Sequence, residues 1–206
     1  VHAVGFVGND SAGVELARLL QAKTICTNGL VIDQERPTVT KTRVMAGGLA
    51  TVRQQVVRID REERSDLSNH SENTIIQYIE THIKDMAAVI LSDYGCKTVT
   101  AVVRDKTIEL CNRFGIPCMV DSRYDILRFK GVTFVKQNEA ELAAAAGYPI
   151  DDESAFIKAG RELLEELNAQ AVLITRGPDG MTLFERDGSL AHIPVTSVSE
   201  VFDVSG

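Results

Sequence analysis

The sequence predicts an α/β fold: a mostly parallel central sheet covered by helices on both faces, with a small antiparallel β clasp or lid standing off it. Three observations predict it. Between residues 87 and 174 short apolar runs alternate with helical patterns, the signature of right-handed βαβ crossovers, which build a parallel sheet. Residues 38–46 and 54–60 instead carry β-branched side chains at alternate positions around Gly47-Gly48, as an antiparallel hairpin does when at least one face is polar. Beyond Gly177-Pro178-Asp179-Gly180 the pattern turns to hairpins again, with residues 181–185 meeting 190–193 around Asp187-Gly188 to finish the sheet edge.

In order along the chain, residues 1–7 read as a central strand, and Asp10 or Ser11 caps a helix to about Gln21 whose apolar side is Val14, Leu16, Ala17, Leu19 and Leu20. Residues 24–27 read as a short strand that turns at Asn28-Gly29 and returns over 30–32. We place the clasp at residues 30–61. Ser71 caps a helix to about Asp85, with His82 as a surface or internally satisfied histidine. Thr98 or Thr100 starts the next, with Val102, Val103, Leu110, Cys111 and Phe114 inward and Gly115 as its stop. Residues 116–120 form a strand ending at Asp121, and 133–135 form another that breaks at Lys136-Gln137 and opens a helix at Asn138. Gly147 ends that helix, one from 152 to about 168 buries Phe156, Ile157, Leu163, Leu164 and Leu167, and residues 171–174 complete the parallel set.

Composition narrows the function. With 206 residues and 44% apolar content, the chain is long enough for a sizeable, mainly aliphatic core. A net charge of -7 excludes a general nucleic-acid binder, which needs cations to neutralise phosphates. No apolar run reaches the length of a membrane span and no signal peptide is visible, so we expect a cytoplasmic protein without membrane or nucleic-acid partners. Cys26, Cys96, Cys111 and Cys118 have no metal spacing and read as reduced thiols. The chain opens inside a strand pattern without Met and stops in a turn pattern, so we expect a fragment.

Candidate chemistry gathers at strand ends. Asp93, Asp121, Asn138 and Thr175 each follow an apolar run, and in an open parallel sheet ligands bind at that edge. Asn138 and Glu141 also fit a capping box, which needs no ligand. Lys41 and Arg43 share a strand face; they are either a solvated surface or a pair of cations aimed at an anionic substrate. Zinc motifs, a G-x-S-x-G elbow, a Walker A loop and a Rossmann fingerprint are all absent from the sequence.

Four motifs together carry a resemblance. Asn138-Glu139-Ala140-Glu141 resembles the N-x-x-E motif of the ribokinase-like (PfkB) carbohydrate kinases, residues 4–13 resemble their G-x-x-G-x-D-x-x-G segment, Thr175-Arg176-Gly177-Pro178-Asp179-Gly180 their T-x-G-x-x-G loop, and Asp203-Val204-Ser205-Gly206 the opening of their D-T/V-T-G-A-G-D motif. Within that family the chain is most similar to D-glycero-β-D-manno-heptose 7-phosphate kinases of lipopolysaccharide biosynthesis, through residues 37–44, 54–60 and 91–94, the Thr-Arg start of the nucleotide loop and Phe202-Asp203-Val204. The resemblance implies a ribokinase-like three-layer sandwich that transfers phosphate from ATP to the anomeric hydroxyl of a sugar 7-phosphate, with Mg²⁺, with K⁺ as a further candidate, and with pairing of two copies through the clasps. It implies nucleotide contacts from Asn138, Glu139, Ala140, Glu141, Thr175, Arg176, Gly177 and Gly180, and Mg²⁺ held through water by Glu141. Substrate contacts fall to Lys41, Arg43, Asp93, Asp121 and Arg123, and an anion-hole or monovalent-cation loop to Asp203, Ser205 and Gly206. The family's catalytic Asp is expected just after Gly206, so no catalytic residue is assigned within the chain and the chain alone is expected to be inactive. Asp121-Ser122-Arg123-Tyr124 stands where these heptose kinases carry D-P-K-G, and residues 47–51 look like an insertion at the hairpin tip. The alternatives are a kinase of the same family acting on ribose, a keto-sugar acid or a nucleoside, and a non-catalytic sugar- or nucleotide-binding module.

Overall fold

The computed structural model describes residues 1–47, 54–63 and 65–195; residues 48–51 of the expected insertion, and the expected loop role of Asp203, Ser205 and Gly206, lie outside the described residues. The elements are β1 (His2–Gly8), α1 (Ser11–Ala22), β2 (Cys26–Asp33), β3 (Thr40–Ala46), β4 (Gln54–Arg61), α2 (Asn69–His82), β5 (Val89–Asp93), α3 (Ala101–Phe114), β6 (Cys118–Ser122), β7 (Phe134–Asn138), α4 (Glu139–Ala146), α5 (Glu153–Glu166), β8 (Ala171–Thr175), β9 (Met181–Glu185) and β10 (Leu190–Ile193). Short 3₁₀ turns occupy Ile83–Asp85, Ile126–Arg128 and Gly177–Asp179. The chain divides into two compact units, the break falling between Ile75 and Ile76 inside α2.

In the first unit β1 pairs with β2 in parallel, as a two-stranded sheet of its own among the described residues, which corrects its expected central position. Nor does Asn28-Gly29 turn the chain. β2 runs straight through it, and a bulge between the His2↔Cys26 and Val4↔Gly29 pairs absorbs the extra residue. Asp10 caps α1 by accepting the Gly13 N–H at 2.9 Å, but Val14, Leu16 and Leu19 of its expected inner face are exposed, and Gly13 is the helix residue that is buried. A Cβ at Gly13 would meet the Gly8 carbonyl at 2.5 Å, so the close approach of helix and strand rests on glycine. The clasp is the antiparallel pair β3–β4, which share no sheet with other described strands; Leu30 to Asp33, counted with it from sequence, belong to β2. The α2 cap is Ser68, whose Oγ accepts the Ser71 N–H at 3.1 Å, rather than Ser71, whose own hydroxyl donates to buried Asp33 at 2.9 Å.

The second unit is built on a six-stranded sheet in the order β10-β9-β8-β7-β6-β5, parallel from β5 to β8 and antiparallel at β9 and β10. α3 joins β5 to β6, and α4 with α5 joins β7 to β8; between β6 and β7 the Ile126–Arg128 turn stands where a crossover helix could have been. Val120, Val135, Leu142, Phe156, Leu167, Val172, Ile174 and Phe184 are nearly inaccessible and belong to one continuous apolar cluster. Burying each such side chain is worth about 1.5–3 kcal/mol against leaving it in water. On β5, the last strand of this sheet among the described residues, Ile90 faces outward and is exposed while Leu91 on the opposite face is buried, so its apolar run is only half buried. Thr100 caps α3 and Gly115 ends it at φ 67°, while Val102 and Phe114 point outward and Thr107 and Ile108 take buried places. Cys111 and Cys118 are buried free thiols. Their contact lowers the Cys111 thiol pKa, whereas the same contact and burial push that of Cys118 up.

Candidate active site

Strand register assembles the rim. Asp93 is opposite Ser122, Ser92 opposite Asp121, Asp121 opposite Lys136, and Asn138 opposite Thr175, so Asp93, Asp121, Asn138 and Thr175 all stand at the carboxyl edge of one sheet. Side chains alternate along a strand and register partners share a face. Asp121, Lys136, Asn138 and Thr175 therefore take one face of this edge, and Asp93 with Ser122 takes the other.

β7 does not break at Lys136-Gln137 as the sequence suggested. It continues to Asn138 because buried Gln137 turns its amide inward, donating to the Ser122 carbonyl at 2.7 Å and to the Lys136 carbonyl at 2.9 Å. Asn138 then ends the strand and starts α4. Its Oδ1 accepts the Glu141 N–H at 2.8 Å while Glu141 Oε2 accepts the Asn138 N–H at 2.9 Å, a complete capping box. Ala140 follows on the exposed face of α4.

Beyond β8 the Thr175–Gly180 loop closes on itself: Arg176 N–H donates to the Gly180 carbonyl at 2.8 Å and Gly180 N–H to the Gly177 carbonyl at 3.1 Å. Gly177 at φ 55° and Gly180 at φ 82° take backbone conformations that favour glycine. The Arg176 side chain is occupied. Nε donates to Glu139 at 3.0 Å, Nη1 and Nη2 donate to Glu153 at 3.2 and 2.9 Å, and the guanidinium lies 4.0 Å from the Phe156 ring centre. Glu153 above all, with Glu139 adding to it against some burial, raises the guanidinium pKa.

Asp93 is also committed locally. Oδ1 accepts the Gly95 N–H at 2.9 Å, Oδ2 lies 3.1 Å from Ser122 Oγ, and its carbonyl accepts the Arg123 N–H at 3.0 Å, binding the loops after β5 and β6 together. Arg123 itself is exposed, on a loop whose Tyr124 ring packs against Gly95. A cavity of about 370 Å³ opens between this loop and α4, walled by Arg123, Tyr124, Ile126, Asn138, Glu141 and Ala144.

In the first unit Lys41, offered from sequence as a free cation, pairs with Glu62 at 2.8 Å and with Asp60 at 3.7 Å. The Glu62 hydrogen bond raises its pKa. Antiparallel register sets Asp60 opposite Lys41 and Arg58 opposite Arg43, a cross-strand relation that the strand sequences alone left open.

The comparisons with known proteins match this arrangement along its whole length. The family model described as pfkB family carbohydrate kinase covers residues 1–206. This chain belongs to that family. Among curated pfkB-family relatives, the bifunctional protein HldE of Geobacter sulfurreducens is 36% identical over 207 residues, covering 100% of this chain and 41% of its own length. HldE of Gluconacetobacter diazotrophicus is 38% identical over 204 residues, covering 98% and 41%. The chain thus spans about two fifths of the length of these relatives. Among solved structures, phosphofructokinase-2 from Escherichia coli in complex with potassium superposes with a TM-score of 0.75 at 18% identity, over 96% of this chain and 62% of that one. Arabidopsis thaliana ribokinase complexed with ribose and ATP gives 0.71 at 15% identity, over 100% and 64%. At such identities the likeness shows the fold, which is ribokinase-like α/β.

One residue of the pfkB-family edge escaped the sequence reading. Lys136 stands two residues before Asn138 on the same face, its Nζ 3.4 Å from both carboxylate oxygens of Asp121. Period two counted back from Asn138 would have found it. The donor set also bears on Mg²⁺. Among the described residues no three His, Cys, Asp or Glu side chains cluster as a cage. Mg²⁺ keeps most of its waters and takes one or two carboxylates together with substrate phosphates. Glu141, with Oε2 used in the cap and Oε1 remaining, fits a water-mediated contact of that kind.

Proposed function

We propose that this chain is the larger part of a sugar kinase domain, with the clasp as its lid, and that the whole protein transfers the γ-phosphoryl group of ATP to the anomeric hydroxyl of a heptose 7-phosphate. One observation carries the reading. Asn138 and Thr175 are register partners, so the N-x-x-E helix start and the T-x-G-x-x-G loop open side by side at a strand edge. A helix start and a tight glycine loop side by side at a strand edge suit phosphate oxygens.

In this reading Asn138, Thr175, Gly177 and Gly180 hold the nucleotide, and Lys136 leaves Asp121 to meet phosphate charge when ATP arrives. Asp121, released from Lys136, accepts sugar hydroxyls, while Asp93 orders the loops that frame the sugar. Arg123 grips the sugar's own phosphate. Glu141 and Asn138 order the waters of Mg²⁺, which when bound neutralises charge on the transferring phosphates. The general base is the Asp expected beyond Gly206; it removes the proton of the attacking hydroxyl. ATP and Mg²⁺ are the cofactors, the segment with Asp203, Ser205 and Gly206 is assigned as an anion-hole or monovalent-cation loop with K⁺ as the candidate ion, and the location is cytoplasmic. No described helix is long and apolar enough to cross a membrane.

A second reading has an observation of its own. Lys41 is neutralised by Glu62 within the clasp, which weakens the case for a phosphorylated sugar and favours a family kinase acting on ribose, a keto-sugar acid or a nucleoside. The experiment is a product assay with the full-length protein, Mg²⁺ and ATP against heptose 7-phosphate, ribose, a keto-sugar acid and a nucleoside. Turnover on the heptose phosphate supports the first reading and turnover on another sugar the second. ATP binding with no turnover on any of them points to the non-catalytic module. Residues 1–206 alone are expected to bind ATP weakly without turnover, so phosphorylation by that piece would move the base into this chain.

A further inference from the structure

We propose that Arg176 is a positioning residue, a strut that sets the Thr175–Gly180 loop against the starts of α4 and α5, rather than a ligand of the nucleotide phosphates. The proposal rests on the nucleotide reading of that loop and goes beyond it. An arginine in a phosphate loop would ordinarily be assigned to the phosphates, since its planar fork matches them. Here the fork is already engaged along both edges. Nε faces Glu139, the first residue of α4, and the two terminal nitrogens take Glu153, the first residue of α5, in a two-point contact. The flat face stacks on Phe156, which is buried one turn further along α5.

The geometry has a direction. Glu139 lies next to the Asn138 cap, and Arg176 lies next to Thr175, the register partner of Asn138. One guanidinium therefore ties both phosphate-facing segments to a third element, and to an aromatic ring in the core. The side chain is 15% exposed, so a phosphate reaching it would have to displace carboxylates from a largely covered group. With two carboxylates against one guanidinium, the cluster is net negative and does not attract an anion. A second polar layer keeps the loop's own shape: Asp179 N–H donates to the Arg176 carbonyl at 3.1 Å, beside the Gly180 bond to Gly177.

The two roles predict opposite signs. If Arg176 held phosphates, Glu139→Gln and Glu153→Gln would free it and tighten ATP binding. As a strut it needs them, so either change weakens Mg·ATP binding in the same direction as Arg176→Ala. Arg176→Ala is expected to weaken it by about fivefold or more, a size usual for residues that act through others. Arg176→Lys keeps the charge without the fork and recovers little, and Arg176→Ala combined with Glu153→Gln is no weaker than Arg176→Ala alone. The measurements are calorimetric titration of the full-length variants with Mg·ATP, and hydrogen exchange at the Asp179 and Gly180 amides, which speeds up when the strut is cut. Tighter binding in Glu153→Gln, or full recovery by Arg176→Lys, overturns the proposal. Absence of ATP binding in the unmodified protein sinks the nucleotide reading by itself. The exchange rates then still decide whether Arg176 holds the loop, with unchanged rates in Glu153→Gln and Arg176→Lys counting against it.

Discussion

Gly177 and Gly180 share a loop but not a constraint. Both have positive φ, yet a Cβ on Gly177 meets nothing within 4 Å, whereas one on Gly180 would lie 2.2 Å from the Ile193 carbonyl oxygen. Gly177→Ala should therefore cost only the left-handed backbone, about 1–2 kcal/mol. Gly180→Ala adds a backbone clash and should cost more, about 3 kcal/mol or above, by combining strain with overpacking. Urea midpoints of the two variants check the order, and equal costs would mean the β9–β10 hairpin yields easily. Asp33 gives a pH prediction. Burial favours its protonated form, but the N–H groups of Glu35 and Arg36, the Ser71 hydroxyl and the Arg36 charge outweigh that and hold its pKa below the ordinary 3.8. A depressed folded value means stability that is complete above 3.8 and lost as pH falls from there through the folded value. Acid melts should show that loss in the native sequence, and Asp33→Asn, less stable at neutral pH, should flatten it. At this scale the sequence was readable where a residue acts alone: of the cap pairs it offered, Asp10 or Ser11 and Thr98 or Thr100, the caps are Asp10 and Thr100. It was opaque where the partner comes from another strand. Lys41 looked free because Asp60 stands on the strand opposite and Glu62 just beyond its end, and Lys136 was read as a strand break because Asp121 is a register partner rather than a sequence neighbour.

At the scale of the element, α4 separates a structural role from a chemical one. The helix is 8 residues long, too short to persist without its caps, and its first turn is closed by Asn138 and Glu141 together. Asn138→Ala removes the side-chain acceptor and should cost about 1 kcal/mol. Glu141→Gln keeps the reach back to the Asn138 N–H, since glutamine serves in a capping box, but loses the charge. It should leave the thermal midpoint nearly unchanged while weakening ATP binding in Mg²⁺ and not in its absence. A matched fall in stability and affinity would reduce Glu141 to its cap. Element boundaries failed where a local signal was overruled from outside. Asn28-Gly29 is a strong turn pair, yet β2 stays extended because pairing with β1 resumes after one bulged residue. α1 has the helical period and its cap, but the period does not say that Val14, Leu16 and Leu19 meet a covering surface, and in the described residues they do not.

At the scale of the molecule, the parallel run from β5 to β8 and the antiparallel finish at β9 and β10 were legible because each strand's partner follows it in sequence order. The β1–β2 pair was not, because the turn signal of Asn28-Gly29 divides β2 in the sequence reading into two short strands that pair with each other instead of with β1. The clasp was legible as a hairpin, and its register adds a consequence for assembly. Val44 faces Val57 and Thr42 faces Ile59, so Val44, Val57 and Ile59 share one face at 43%, 46% and 57% exposure. Three aliphatic side chains side by side in water, on a hairpin that pairs with no other described strand, make an apolar patch of the kind that marks an interface. A second copy supplies the same patch, so the two clasps can cover each other in an isologous contact. The protein is accordingly expected to dimerise, and Ile59→Lys should shift it toward monomer in light scattering over a concentration series, with its melting midpoint little changed because the position is exposed. Val14→Lys, a charge on the 72% exposed residue of α1, is the control and should leave the dimer intact. If both variants dissociate, or neither does, the association does not run through the clasp. If the unmodified protein is a monomer throughout, the patch does not mark a surface of self-association.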